Sequence, residues 1–268
     1  MIPNVLSIAG SDPSGGAGIQ ADIKSISANG GYAMAVLTGL TAQNTDGVKG
    51  VSLVDPAFVT AQIRAIRDDI RIDAIKIGML GDATVIEAVA GALEGVDAPI
   101  VLDPVMVARS GDRLLADRAV SALRDLLVPR ATVITPNLPE AADLLGVPEA
   151  ADVDGMRHQA RALLELGCGA VLIKGGHLGQ GDATDLLLSG GDETVLSAPR
   201  SGTRNTHGTG CTLSSALATR IALGAELAQA VREAKSYISA AIAAADTLSV
   251  GGGHGPVHHF HSLWGGGA

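Results

Sequence analysis

Short apolar runs rich in β-branched residues recur along the whole chain, with longer helical patterns between them. This alternation narrows the fold more than any other feature. Residues 5–9, 33–40, 74–77, 100–103, 132–135 and 170–174 are nearly continuous in Val, Ile, Leu and Ala, as strands covered on both faces must be. Residues 19–28, 56–70, 82–93, 117–126 and 156–166 have helical periodicity, and Asp55-Pro56 offers an N-cap followed by proline at the first helical position. Residues 185–188 and 194–197, split by Gly190-Gly191-Asp192, predict a hairpin with a II′ turn or a longer loop. After Gly210 the pattern becomes two Ala-rich helices, 211–223 and 226–248, separated by Gly224, and then a Gly/His tail. No repeat or linker interrupts the run. The expected fold is α/β, a doubly wound and mostly parallel central sheet with helices on both faces, in a single domain over residues 1–268.

Composition excludes several classes. The net charge is −9 and no Lys/Arg run occurs, so a nucleic-acid footprint is not expected. No basic-then-apolar leader follows Met1, and no apolar stretch reaches the ~18 residues of a membrane span. Cys168 and Cys211 are far apart and match no zinc spacing. A reduced, cytoplasmic protein without membrane partners is the plain expectation. Aromatic residues are only 2%, so Ala, Val, Leu and Ile must build the core.

In doubly wound sheets, ligands bind beyond the carboxyl ends of the strands. The segments there are 10–18, 41–46, 78–80, 103–111, 136–140, 175–177 and the turn before Cys211. Within the first, Gly16-Ala17-Gly18-Ile19-Gln20-Ala21 matches a dinucleotide fingerprint, but a loop separates it from its strand and the ribose-binding acid is missing. No Gly-Lys-Ser/Thr follows either, which excludes a Walker A loop. What remains is a Gly-rich loop that lets a flat ligand approach backbone amides, or simply a flexible turn.

Asn205-Thr206-His207-Gly208-Thr209-Gly210-Cys211-Thr212 opens an Ala-rich helix. Two glycines around Thr209 aim unpaired N–H groups at one spot, where the helix dipole adds partial positive charge. Such a turn can hold a transferring phosphoryl group. Cys211 sits in the first turn, where a thiol pKa is expected to fall. The plain alternative is an ordinary Gly-rich helix start with Cys211 packed as a small apolar residue. Asp103 and Glu140 stand just past strand ends, where acids can hold Mg²⁺; an Asp-Pro turn and a helix-dipole acid are their structural alternatives. Lys174, followed by Gly175-Gly176-His177, can reach ATP phosphates or merely snorkel out of the sheet end. The histidines of 254–261 lack supporting ligands, so a docked tail is expected there, not a zinc site.

Taken together, the stretches Ile8–Asp22, Leu40–Thr45, Lys76–Leu80, Asp103–Met106, Thr135–Asn137, Thr206–Cys211 and His254–Val257 resemble the hydroxymethylpyrimidine/phosphomethylpyrimidine kinases of thiamine synthesis over nearly the whole length. The resemblance implies a ribokinase-like fold, use of ATP with Mg²⁺, and a homodimer. It also implies two successive phosphorylations, of 4-amino-5-hydroxymethyl-2-methylpyrimidine and then of its monophosphate. By the same resemblance Gln43 would bond the pyrimidine edge, Met79 would pack on the ring, and Asp22 would lie near the substrate hydroxyl, with Gly10 and Met106 also lining the substrate. Gly208, Gly210 and Cys211 would form the anion hole. Lys174, Lys235 and Thr209 would serve the nucleotide, and Asp103 and Glu140 would organise magnesium. Related sugar kinases place an aspartate base where this chain has Cys211, so a thiolate base and catalysis by positioning alone both stay open.

Two rivals remain at this level. A pyridoxine/pyridoxal kinase shares the architecture and a similar hydroxymethyl heterocycle. A non-catalytic nucleotide or pyrimidine sensor would need no anion hole, and pyrimidine-dependent ADP release discriminates it. No further domain is appended, so a fused second activity of the pathway is not expected.

Overall fold

The computed structural model describes residues 1–106, 117–176, 178 and 181–264. The parts of the expected ligand-side turns at 107–111 and His177 therefore lie outside the described residues.

The chain begins with β1 (Asn4–Ala9), α1 (Gly18–Ala28) and β2 (Tyr32–Leu37). A hairpin follows, β3 (Gly39–Asn44) and β4 (Gly47–Leu53), and then α2 (Pro56–Arg67). Next come β5 (Ala74–Ile77), α3 (Ala83–Ala92), β6 (Ile100–Leu102), α4 (Asp117–Ala122), β7 (Val133–Ile134), α5 (Leu138–Leu145) and α6 (Val153–Leu164). The last elements are β8 (Ala170–Gly175), β9 (Ala183–Ser189), β10 (Asp192–Ala198), α7 (Thr209–Ala222) and α8 (Leu227–Ala243). Among the described residues the main sheet has eight strands in the order β10-β9-β8-β7-β6-β5-β1-β2. The six from β2 to β8 run parallel, and β9 and β10 are antiparallel at one edge.

Both faces of the central strands are buried, and the period of two along each strand sorts its side chains between them. Leu6, Ile8, Ile75, Ile77, Leu102 and Ile134 join one apolar cluster with α2, α3, α5 and α6. Val5, Ala74, Val101 and Val133 join a second with α7 and α8. Each fully buried Leu or Ile contributes about 1.5–3 kcal/mol, so the near-continuous apolar runs hold the sheet. The alanines of α7 let that helix lie close on the strands. Asp55 caps α2 through the Ala57 N–H (2.8 Å), with Pro56 at the first position as expected.

Four expectations need correction. The run 33–40 is not one strand: the chain leaves the sheet at Thr38, whose hydroxyl donates to the Met79 carbonyl (2.7 Å), and enters the separate two-stranded sheet β3–β4. Gln43 is thus within a strand of this flap instead of just past the second strand of the main sheet. The helix expected over 117–126 ends its α-helical part at Ala122 and continues as a wider π turn over Leu123–Leu127. The turn between β9 and β10 consists of Gly190 and Gly191 at φ +56° and +93°, so it is the type I′ kind, which needs positive φ at both positions.

Candidate active site

Four chain segments meet at the carboxyl end of the sheet. Asp103 directly follows β6, and its N–H still donates to the Ile77 carbonyl (2.8 Å), which fixes the residue against β5. Its Oδ1 accepts from the Thr135 hydroxyl (3.0 Å) and from Lys174 Nζ (2.7 Å), the latter at the end of β8. Glu140 lies in the first turn of α5, where Asn137 and Glu140 form a reciprocal capping box (2.8 and 2.9 Å). Its Oε2 is 3.9 Å from Lys174 Nζ. The first turn of α7 closes the cluster: a Cβ added to Gly210 would stand 3.3 Å from Lys174 Nζ and 3.4 Å from Asp103 Oδ2. The amides of Gly210 and Cys211 begin a helix and so have no intrahelical partner.

Two buried carboxylates thus share one lysine. Burial opposes ionisation of Asp103, but Lys174 and Lys76 outweigh it and hold the group below the usual carboxylate range. Burial also opposes the charge on Lys174, and Asp103 and Glu140 overcome it to raise that ammonium above its ordinary value. Glu140 goes the other way: burial, helped by the charge of Asp103, pushes it up to about 7 against the pull of Lys174. The cluster therefore has room for added positive charge.

The thiol of Cys211 overturns the expected fall. Burial, reinforced by Asp22 and Asp103, pushes it up to about 11, although Lys76 pulls the other way. A helix start counts for less than burial beside two carboxylates. Cys211→Ser should therefore reduce turnover by less than about tenfold and leave the pH–rate profile in place. A hundredfold loss with a displaced basic limb, read from kcat across pH 6–10, would reinstate a thiolate base.

A second group of residues faces the flap. Asp12 gathers the Gly-rich loop, accepting from the N–H and hydroxyl of Ser14 and from the N–H groups of Gly16 and Ala17 (2.7–3.2 Å). Its carboxylate is held at about 2, because these donors and His207 outweigh its burial. His207 Nε2 is 2.8 Å from Asp12 Oδ2 and 3.4 Å from Gln43 Nε2. Thr41 on the same strand touches Gln43 Oε1 (3.2 Å). Met79 lies beside Gly10, where any added Cβ would strike its terminal methyl. The expected docked tail is present: the Pro256 segment pairs with His207, and His254 N–H donates to the Thr45 carbonyl of the flap (2.9 Å).

Two further residues, Asp22 and Met106, lie away from any open surface, while Lys235 and Thr209 are half-buried and engaged by neighbours. Asp22 is fully buried and accepts from Lys76 Nζ (2.8 Å to each oxygen), Ser7 (2.6 Å) and Ser215 (2.8 Å), beneath the first turns of α7. Met106 is fully buried in the first apolar cluster and offers a ligand no surface. Lys235, on α8, is engaged by Asp185 (2.7 Å) and the Ala183 carbonyl (3.0 Å), and Asp185 in turn accepts from the Gly175 N–H (3.1 Å) next to Lys174. Thr209 Oγ1 donates to the Thr206 carbonyl (2.7 Å) and so shapes the turn.

Reading the sequence did not single out Asp12, His207 or Lys76. Lys76 had a usable signal, since a charge inside the four-residue strand Ala74-Ile75-Lys76-Ile77 demands a buried partner. Asp12 had another, an acid able to cap the amides of the glycines after it.

A family model described as phosphomethylpyrimidine kinase matches residues 12–258. The chain is 53% identical to the hydroxymethylpyrimidine/phosphomethylpyrimidine kinase of Escherichia coli, over 97% of this chain and 98% of that one. Among solved structures it is similar to an ADP complex of Bacillus subtilis pyridoxal kinase (TM-score 0.89, 39% identity, 97% and 98% of the two chains). It is also similar to the phosphomethylpyrimidine kinase of Clostridium difficile (TM-score 0.80, 42% identity, 90% and 99%). The ribokinase-like fold implied by the resemblance is the one found, and the matches run through the loop, the strand ends and the helix start that converge here. The chain belongs to the phosphomethylpyrimidine kinase family.

Proposed function

We propose that this chain moves the γ-phosphoryl group of ATP onto the hydroxymethyl oxygen of 4-amino-5-hydroxymethyl-2-methylpyrimidine, and then moves a second onto the resulting monophosphate, in thiamine synthesis. In the first transfer the hydroxymethyl oxygen attacks γ-phosphorus, the bond to the β–γ bridging oxygen breaks, ADP leaves and the hydroxyl proton is released to solvent. In the second a phosphate oxygen of the monophosphate attacks in the same way and ADP again leaves. The observation that carries this reading is the facing of Lys174, Asp103 and Glu140 against the free amides of α7. Phosphoryl transfer asks mainly for positioning and charge stabilisation, which these groups supply. Burial pushes the Cys211 thiol up to about 11, which favours positioning over a thiolate base for the step.

Magnesium fits the same cluster. Mg²⁺ binds through one or two carboxylates plus substrate phosphates and keeps several waters. Asp103 and Glu140 are two such oxygen donors, with one lysine between them. When bound, the ion would neutralise charge developing on the transferred phosphate. Glu140 must lose its proton to serve, and its proton is held to about 7. Activity should therefore fall as pH drops through about 7, and raising Mg²⁺ should move that acid limb to lower pH, because a cation favours the carboxylate. An acid limb that ignores both Mg²⁺ and Glu140→Gln, in pH–rate profiles at low and saturating metal, would remove Glu140 from this role.

The substrate is tested by product masses. Incubation of the pyrimidine monophosphate with Mg-ATP should yield a species heavier by one phosphoryl group. Gln43→Leu should lower the preference for the aminopyrimidine alcohol over pyridoxal by about tenfold or more, because an unpaired polar edge is costly. The second reading, a pyridoxal kinase, is favoured by the similarity to the Bacillus subtilis enzyme. It takes precedence if no diphosphate forms while pyridoxal is phosphorylated efficiently.

The reading includes a single catalytic unit over 1–268, placed in the cytoplasm, which two free cysteines suit. It also includes a homodimer through the flap, whose Leu40, Val51 and Leu53 stand exposed. No helix among the described residues is long and apolar enough to cross a membrane.

A further inference from the structure

We infer that His207, held by Asp12, is a positioning residue that fixes which way round the Gln43 amide faces the substrate, and so sets both substrate preference and ring orientation. The inference rests on the reading of Gln43 as a substrate contact.

Counting protons carries it. Asp12 is ionised and its Oδ2 is 2.8 Å from His207 Nε2, so that nitrogen must carry the proton. A bare Nε2 would set a lone pair against a carboxylate. With its one proton given to Asp12, Nε2 has no lone pair for a Gln43 NH₂ at 3.4 Å, where two N–H dipoles would oppose each other, so the amide oxygen is the favoured neighbour. On the other side, the single hydroxyl proton of Thr41 goes to the Ser11 carbonyl (2.8 Å). Thr41 Oγ1 can then only accept from Gln43, at the contact of 3.2 Å, which calls for the amide nitrogen. The two flanks agree: Oε1 belongs on the His207 side and the NH₂ on the Thr41 side, and turning the amide by 180° would create two repulsive contacts. One lone pair and one N–H remain free at the amide tip. That pair matches a ring nitrogen beside an exocyclic amine. Reversing the amide reverses the pair, so the ring would bind turned over, with its hydroxymethyl group away from the phosphoryl donor.

The backbone of His207 is fixed independently of its ring, since its N–H donates to the Gly255 carbonyl (3.0 Å) and its carbonyl accepts from Val257 (3.4 Å). Side-chain replacement therefore tests the ring alone. His207→Leu should reduce the kcat/KM ratio of aminopyrimidine alcohol to pyridoxal about tenfold and lower kcat for the alcohol, with KM for ATP unchanged. His207→Gln, which keeps an NH₂ donor, should stay within about threefold of the parent. In a Gln43→Leu background, His207→Leu should add no further loss of preference. If Gln43→Leu lowers the ratio but His207→Leu leaves it intact, or the two losses simply add, the inference falls. If Gln43→Leu itself leaves the ratio unchanged, the substrate reading has failed. ¹⁵N-histidine NMR of the unaltered protein, with the His207 signal assigned by its loss in His207→Gln, needs no leucine variant. A proton on Nε2 supports the inference, and a bare Nε2 overturns it.

Discussion

Gly208→Ala should lower turnover by roughly 10²–10³, the loss typical of a displaced oxyanion donor. Gly208 is the N-cap of α7 at φ +75°, a region where L side chains are strained by about 1–3 kcal/mol. The larger effect is steric. A Cβ there would run into the Gly16 carbonyl, so the Gly-rich loop and the helix start would have to separate. The amides of Gly210 and Cys211 ride on that helix start, and a shift of even an ångström takes them off a phosphoryl oxygen. The damage is local, because the rest of α7 is anchored by fully buried Ser214, Ser215 and Thr219. Single-turnover rates beside circular dichroism separate lost chemistry from lost fold. A folded Gly208→Ala enzyme with normal turnover would eliminate the helix start as the anion site.

Lys76→Met should cost about 3–5 kcal/mol of stability, the usual consequence of removing one partner from a buried ion pair. Lys76 and Asp22 are both fully buried. Burial opposes the charge on Lys76, yet Asp22, Cys211 and Asp103 hold it well above its ordinary range. Without the ammonium, Asp22 keeps only the hydroxyls of Ser7 and Ser215. Denaturant midpoints read the loss. Adding Asp22→Asn to Lys76→Met should recover part of it, because no uncompensated charge is then buried. A double variant no more stable than Lys76→Met alone would mean that packing, not charge, governs the site.

How much of this was legible depended on burial. The strands at 5–9, 74–77 and 170–174 are covered on both faces, so their apolar runs announce them. The flap does not announce itself, because most of β4 is exposed and little selects for an apolar pattern. Helix α5 is short and its start is set by a capping box, so only Glu140 hinted at it. Asp103, Glu140, Lys174 and Gly208–Cys211 could be named because strand ends and helix starts fall at one edge of any such sheet. Depth could not be read. Motif position gives no sign that Asp22 is sealed beneath α7, that Met106 is closed off in the core, or that burial reverses the expected shift at Cys211.

The contact between Asp12 and His207 also has a bearing on synthesis. It joins residues 195 positions apart, and the segment at Gly255–Val257 must then pair with His207. At about 5–20 residues per second, a ribosome needs roughly 10–40 s to travel from the first of these residues to the second. Throughout that time the nascent Gly-rich loop waits without its histidine, and β1 without the helices that cover one of its faces. A message cut short before the last turns therefore yields a chain that can pair several strands but cannot assemble the pocket, which makes full translation a precondition for catalysis.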